Sequence, residues 1–209
     1  MTTKLTFLNT GRRTADPKHP VLAELEQYWQ SLRLDDSIPN RADIDPDKIS
    51  SALPYTFVLQ RVAPGVARMR VAGQKLHDIL RMDPRGMPVS AFFDAEDRST
   101  LAVHLESAFS EPALIAMPVQ GAAGLLRSAV KGAILLMPMR DESGDVSRVL
   151  GALVTDGPLG ARSRRLRLDD SRPMRIEPLT QIHAAPAHTP QMQRPDVARP
   201  ALRLVVNNV

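Results

Sequence analysis

A chain of 209 residues, 43% hydrophobic and 24% charged, can bury one sizeable core with segments to spare, and its lack of Cys excludes disulfides, thiolate metal sites and cysteine nucleophiles. One Trp and two Tyr leave the interior to aliphatic residues and Met, and count against aromatic platforms for single-stranded nucleic acid. The net charge of +4 is uneven: from Gly157 onward nine Arg face four acids, so residues 1–156 are close to neutral and do not read as a nucleic-acid-binding core.

Residues 1–18 read as a flexible N-terminus without a signal-peptide core. Apolar runs such as GAILLMPM at 132–139 fall far short of the roughly 20 residues needed to span a bilayer. A soluble, cytoplasmic protein is the expectation. The spacing of Val21, Leu25, Tyr28, Trp29 and Leu32 predicts a helix over 19–33 with one buried face, Pro20 suiting its first turn. Pro39 and Pro46 then break the chain, and Asp45 can cap a short turn. PYTFVLQRV and VARMRVAG, separated by APG, predict a hairpin in which Val66, Arg68 and Arg70 face one way and Ala67, Met69 and Val71 the other.

A short helix follows around Leu76, Ile79 and Leu80, then turns marked by Pro84, Gly86 and Pro88. A longer helix over AEDRSTLAVHLESAFS buries Leu101, Leu105, Ala108 and Phe109, with Asp94, Glu96 and Asp97 capping its start. ALIAMPVQG, LLRSAVKGAILLMPMR and VSRVLGALVTDG predict three more strands, the last two joined at DESGD. The sum is an α+β domain over 19–156, a five-stranded antiparallel sheet with helices on one face and an N-terminal cap helix. Residues 157–209 read as a basic, Pro/Arg-rich tail, mostly disordered, in which only MRIEPL and LRLVV could add a strand or dock.

Two strands, a cluster of short helices, one longer helix and three strands is an order that resembles the PAS domain. YWQSLR, IPNRADIDPDKISSALPYTFVLQRV and ARMRVAG resemble stand-alone bacterial PAS-like proteins carrying the motifs W..LR, P.R.DIDP..I...LP and R.R.AG. The chain departs at Gln74, where relatives commonly carry Thr. The resemblance implies a sensory or regulatory protein without a fused output domain, acting through contacts with another signalling protein. It also implies that Arg41, Asp43, Asp45 and Pro46 staple the linker that returns the first helix over the sheet. Pro54 would open the first strand, and Gly73 would end the hairpin.

The candidate partner surfaces are Tyr28, Trp29 and Leu32, through which two copies could pair, and a sheet strip of Arg61, Arg68 and Arg70. The alternative is a small-molecule sensor with a cavity near His77, His104, Leu101 and Leu105, where His104 is the candidate haem ligand. A weaker alternative is a nucleic-acid or membrane-surface binder acting through the RSRRLR run. No metal cluster, phosphate loop or nucleophile pattern is legible, so the chain does not read as an enzyme.

Overall fold

The computed structural model describes residues 19–121, 130–157, 159–160 and 162–179; the N-terminal 1–18, the start of the fourth predicted strand run and the LRLVV segment lie outside them. Helix α1 (Pro20–Ser31) starts with Pro20 in its first turn, and His19 Nδ1 accepts a bond from Val21 N. It buries Leu22, Leu25, Tyr28 and Trp29. Three single 3₁₀ turns (Arg41–Asp43, Pro46–Ile49, Leu53–Tyr55) then lead into the hairpin of β1 (Thr56–Ala63) and β2 (Val66–Ala72). Pro64 and Gly65 close that hairpin, Gly65 at φ +66°, a conformation open to glycine at no steric cost. Helices α2 (Gln74–Leu80) and α3 (Arg98–Ser110) precede β3 (Ala113–Gly121), β4 (Val130–Arg140) and β5 (Val146–Asp156).

The strands form one antiparallel sheet in the order β2-β1-β5-β4-β3. Both faces are covered where one was expected. The inner face, with Phe57, Leu59, Met69, Ile134 and Leu136, packs on α2, α3 and the 89–92 turn. The outer face, with Val58, Leu135, Met137, Leu150 and Ala152, packs on α1. Because β4 is buried on both sides, its sequence is an apolar run without alternation. Alternate residues still divide between the two cores, Ile134 and Leu136 inward, Leu135 and Met137 outward.

Pro54 does not open β1: it sits inside the 53–55 turn, and the strand starts at Thr56. That turn approaches Gly73 so closely that a Cβ there would lie 2.2 Å from Leu53 O and 2.4 Å from Pro54 O, while Gly73 N donates to Thr56 O at 2.8 Å. The glycine of the R.R.AG motif is a packing requirement. Gly73→Ala is expected to destabilise by about 1–3 kcal/mol, since rigid main chain has to move, read as a lower urea midpoint.

The largest departure is in the described part of the tail, up to residue 179. Residues 164–168 and 175–179 run along α2, the 89–97 turns and the β3 edge, and β6 (Arg167–Leu168) and β7 (Arg175–Pro178) both pair with β3. MRIEPL thus supplies a strand, and the sheet has seven among the described residues. Several of the tail's arginines meet protein acceptors. Arg172 donates to Asp169 at 2.6 Å and to Val119 O and Gly132 O at 2.9 Å; Arg167 meets Glu96 at 2.8 Å and Asp97 at 3.3 Å; Arg175 pairs with Glu26 of α1. Glu96 and Asp97 therefore hold the tail, and neither Asp94 nor Asp97 makes a side-chain cap.

Asp169 is buried. The Ser171 hydroxyl, backed by Arg172 and the Ser171 amide, holds its carboxyl below the ordinary range against the opposing effect of burial. A folded-state value below the unfolded one stabilises above the unfolded pKa of about 4 and is lost as pH falls toward the lower, folded value. Acid titration by circular dichroism should show a loss of stability below about pH 4 that is shallower in Asp169→Asn.

Candidate functional site

The predicted cavity candidates lie on the inner face, and that face is packed. Leu101 and Leu105 are both 1% exposed. The recess beside them, lined by Val66, Val89, Leu101, Ala102 and Leu105 among others, holds about 10 Å³, the space of about one water. His77 and His104 are half-buried and do not line it. His77 Nε2 lies 3.8 Å from Asp83 Oδ1, and burial pushes the His104 imidazole below its ordinary value. A haem does not fit this recess, so His104 is not placed as its ligand. Among the described residues no group of three or more His, Asp or Glu converges as for a metal.

A much larger recess, about 770 Å³, lies on the outer face beside the region that α1 covers. Its floor is Val58, Gln60 and Val71, one wall is Asn40–Asp43, and Arg70, Arg148 and the 141–143 turn complete it. The walls meet because Arg140 N donates to Pro39 O at 2.9 Å, which fastens the 40–43 segment to the end of β4.

The motif residues build the wall. Asp43 Oδ2 accepts from Asn40 N at 2.9 Å and Asn40 Nδ2 at 3.0 Å, and Asp45 Oδ1 accepts from Asp47 N at 3.1 Å at the start of the Pro46 turn. Tyr28 Oη accepts from Asp45 N at 2.6 Å and donates to Asp43 O at 3.4 Å. Tyr28, just before the W..LR motif, thus ties α1 to the DIDP main chain. Arg41 is exposed and has no side-chain partner among the described residues; it faces the groove and fastens nothing.

The proposed sheet strip divides. Arg61 pairs with Ala67 across the hairpin, on the inner face, where its guanidinium meets Glu106 of α3; Glu106 also accepts from Gly65 N at 2.8 Å. Gln60 and Arg68 are paired on the outer face, and Arg70 Nε donates to Gln60 Oε1 at 2.6 Å. A register shift between Val58 and Leu59 sets Val71 opposite Val58. The extra residue breaks the two-residue alternation and turns Val71, expected inward with Met69, to the outer groove, where it is 44% exposed.

The dimer surface is also revised. Trp29 is 0% exposed, Tyr28 9%, and Trp29 Nε1 donates to Pro138 O at 3.2 Å, so the aromatic face of α1 is spent on its own sheet. Leu32 packs at the margin of the same core. Sequence reasoning missed Arg148. Its signal was parity: it lies two residues before Leu150 on the face that α1 leaves bare.

The family model for the PAS domain matches residues 17–154, and the chain belongs to that family. Such domains are generally sensory or regulatory. The described residues contain no helix long and apolar enough to cross a membrane. No curated protein matches the chain. Among solved structures, an RNA-binding Light-Oxygen-Voltage receptor is similar at 14% identity and a TM-score of 0.38, over 59% of this chain and 37% of that one; the chain thus spans little more than a third of that receptor.

Proposed function

We propose that this PAS protein is a cytoplasmic regulator in bacterial signal transduction that acts through contacts with another signalling protein and is not an enzyme. The observation that carries the reading is the contrast between the two faces: about 10 Å³ beside Leu101 and Leu105, against about 770 Å³ on the outer face. A sensor that works by enclosing a cofactor needs interior volume of several hundred Å³. A protein that works by contact needs surface relief, which the outer groove supplies.

Native mass spectrometry and absorbance of the full chain, purified without added ligand, test this. The expected result is the bare chain mass and no visible band. A Soret band or a stoichiometric bound small molecule would overturn the reading in favour of the ligand sensor.

A further inference from the structure

Resting on that reading, we propose that the outer groove is a docking site for an acidic, extended segment of the partner, whose carboxylate is received by Arg148 and whose apolar neighbours cover Val58 and Val71. Arg148 lies on β5 between Gln60 of β1 and Met139 of β4. Its Nη1 is buried without a hydrogen-bond partner, and a buried cationic donor with no acceptor is costly enough to call for a reason. Arg70 beside it uses only Nε, on Gln60, and the Arg41 side chain stands free on the facing wall. Three guanidinium groups on one groove thus offer unfilled donors.

The acids of the same groove accept no hydrogen bond from these guanidinium groups, although the Asp141 carboxyl, held below its ordinary range chiefly by the Ser147 hydroxyl, also feels the Arg148 charge. Asp43 is filled by Asn40. Asp141 accepts from Ser143 N at 3.0 Å, Asp145 N at 3.2 Å and the Ser147 hydroxyl. Glu142 is exposed at the rim. Apart from Glu142 at the rim, the groove's carboxylates are engaged, and an incoming carboxylate supplies an acceptor in the geometry a guanidinium prefers.

Formal charge along the lining balances, Arg41, Arg70 and Arg148 against Asp43, Asp141 and Glu142. No net field gathers a free anion from solution. The carboxylate has to arrive on a chain that also gains from covering the apolar floor. The protein's own tail is a poor occupant, because residues 180–209 carry three Arg and one acid.

The test uses the full chain and a fluorescein-labelled Glu-Val-Glu-Val-Glu-Val peptide, read by anisotropy. Saturable binding is expected, absent for the Lys-Val counterpart. Arg148→Gln should weaken it about tenfold or more with the melting temperature little changed, because the lost Nη1 made no hydrogen bond and the guanidinium had only a charge contact with Asp141. No saturable binding, equal binding of the Lys peptide, unchanged affinity in Arg148→Gln, or competition by glutarate at the peptide's own concentration would each overturn the proposal, the last in favour of a free-anion site.

A photo-crosslinking residue at Val71 or at Val103, which is 68% exposed on α3, separates the two readings in native cells. Protein adducts at Val103 without any at Val71 would overturn the groove and leave the regulatory reading standing. Adducts at neither position would overturn both.

Discussion

Trp29→Ala is expected to destabilise the domain by about 3–5 kcal/mol, the range for removing a fully buried large aromatic. The ring has no solvent exposure and packs in the outer core with Leu135, Met137 and Leu150. The substitution also removes a donor: Pro138 O loses its indole N–H at 3.2 Å, leaving a buried carbonyl to seek another. The Arg33 guanidinium over the ring, 5.4 Å from its centroid, loses its platform as well. Unfolding has to be followed by circular dichroism, because Trp29 is the only Trp in the chain. Sedimentation should show the same oligomeric state before and after. A variant that changed oligomeric state while keeping its urea midpoint would restore the helix as a dimer surface and contradict the packing described above.

The same residue shows what was legible in the sequence. Helical spacing placed Tyr28 and Trp29 on one face of α1, which is a local property. What that face meets is not local. A helix stripe buries equally well on its own sheet or on a second copy, and only the length and path of the linker decide. The order of elements was readable because each strand and helix carries its own period and its own punctuation, such as Pro64 and Gly65. The arginine strip failed for a related reason. Arg61 sits on the strand before the turn, and its side follows from the pairing register, which sets it opposite Ala67. Arg68 and Arg70 belong to the other side, and the shift that turns Val71 outward is a feature of two strands together.

Residues 162–168 were read as a solvated linker because composition describes the average solvent preference of a segment and not its acceptors. An Arg-rich stretch is disordered only when its guanidinium groups have nothing better than water. Here the β3 edge and the Glu96 and Asp97 carboxylates supply acceptors. A free strand edge is also something folded proteins cover, and β6 and β7 cover this one.

Leu166→Ala, in the middle of that strap, is expected to destabilise by about 2–5 kcal/mol. Leu166 is 0% exposed and belongs to the inner core with Ile79, Phe92, Phe93 and Leu101. Its main chain is held on both sides, Leu166 N donating to Phe92 O at 2.8 Å and its O accepting from Asp94 N at 2.9 Å. The backbone therefore has little freedom to close over a lost side chain, which is the condition under which a cavity persists and the cost is high. Arg167→Gln is the matched control. It removes the pairs of an exposed guanidinium with Glu96 and Asp97, while Asp97 keeps the Leu168 amide, and such exposed pairs contribute about 0–1 kcal/mol each. If the strap only decorates the domain, the two variants will melt alike. If it seals the inner core, Leu166→Ala alone will fall sharply in urea midpoint and will bind an apolar dye that the wild-type protein ignores. The PAS family match ends at residue 154, so that outcome would mean that a segment beyond the matched region closes the interior.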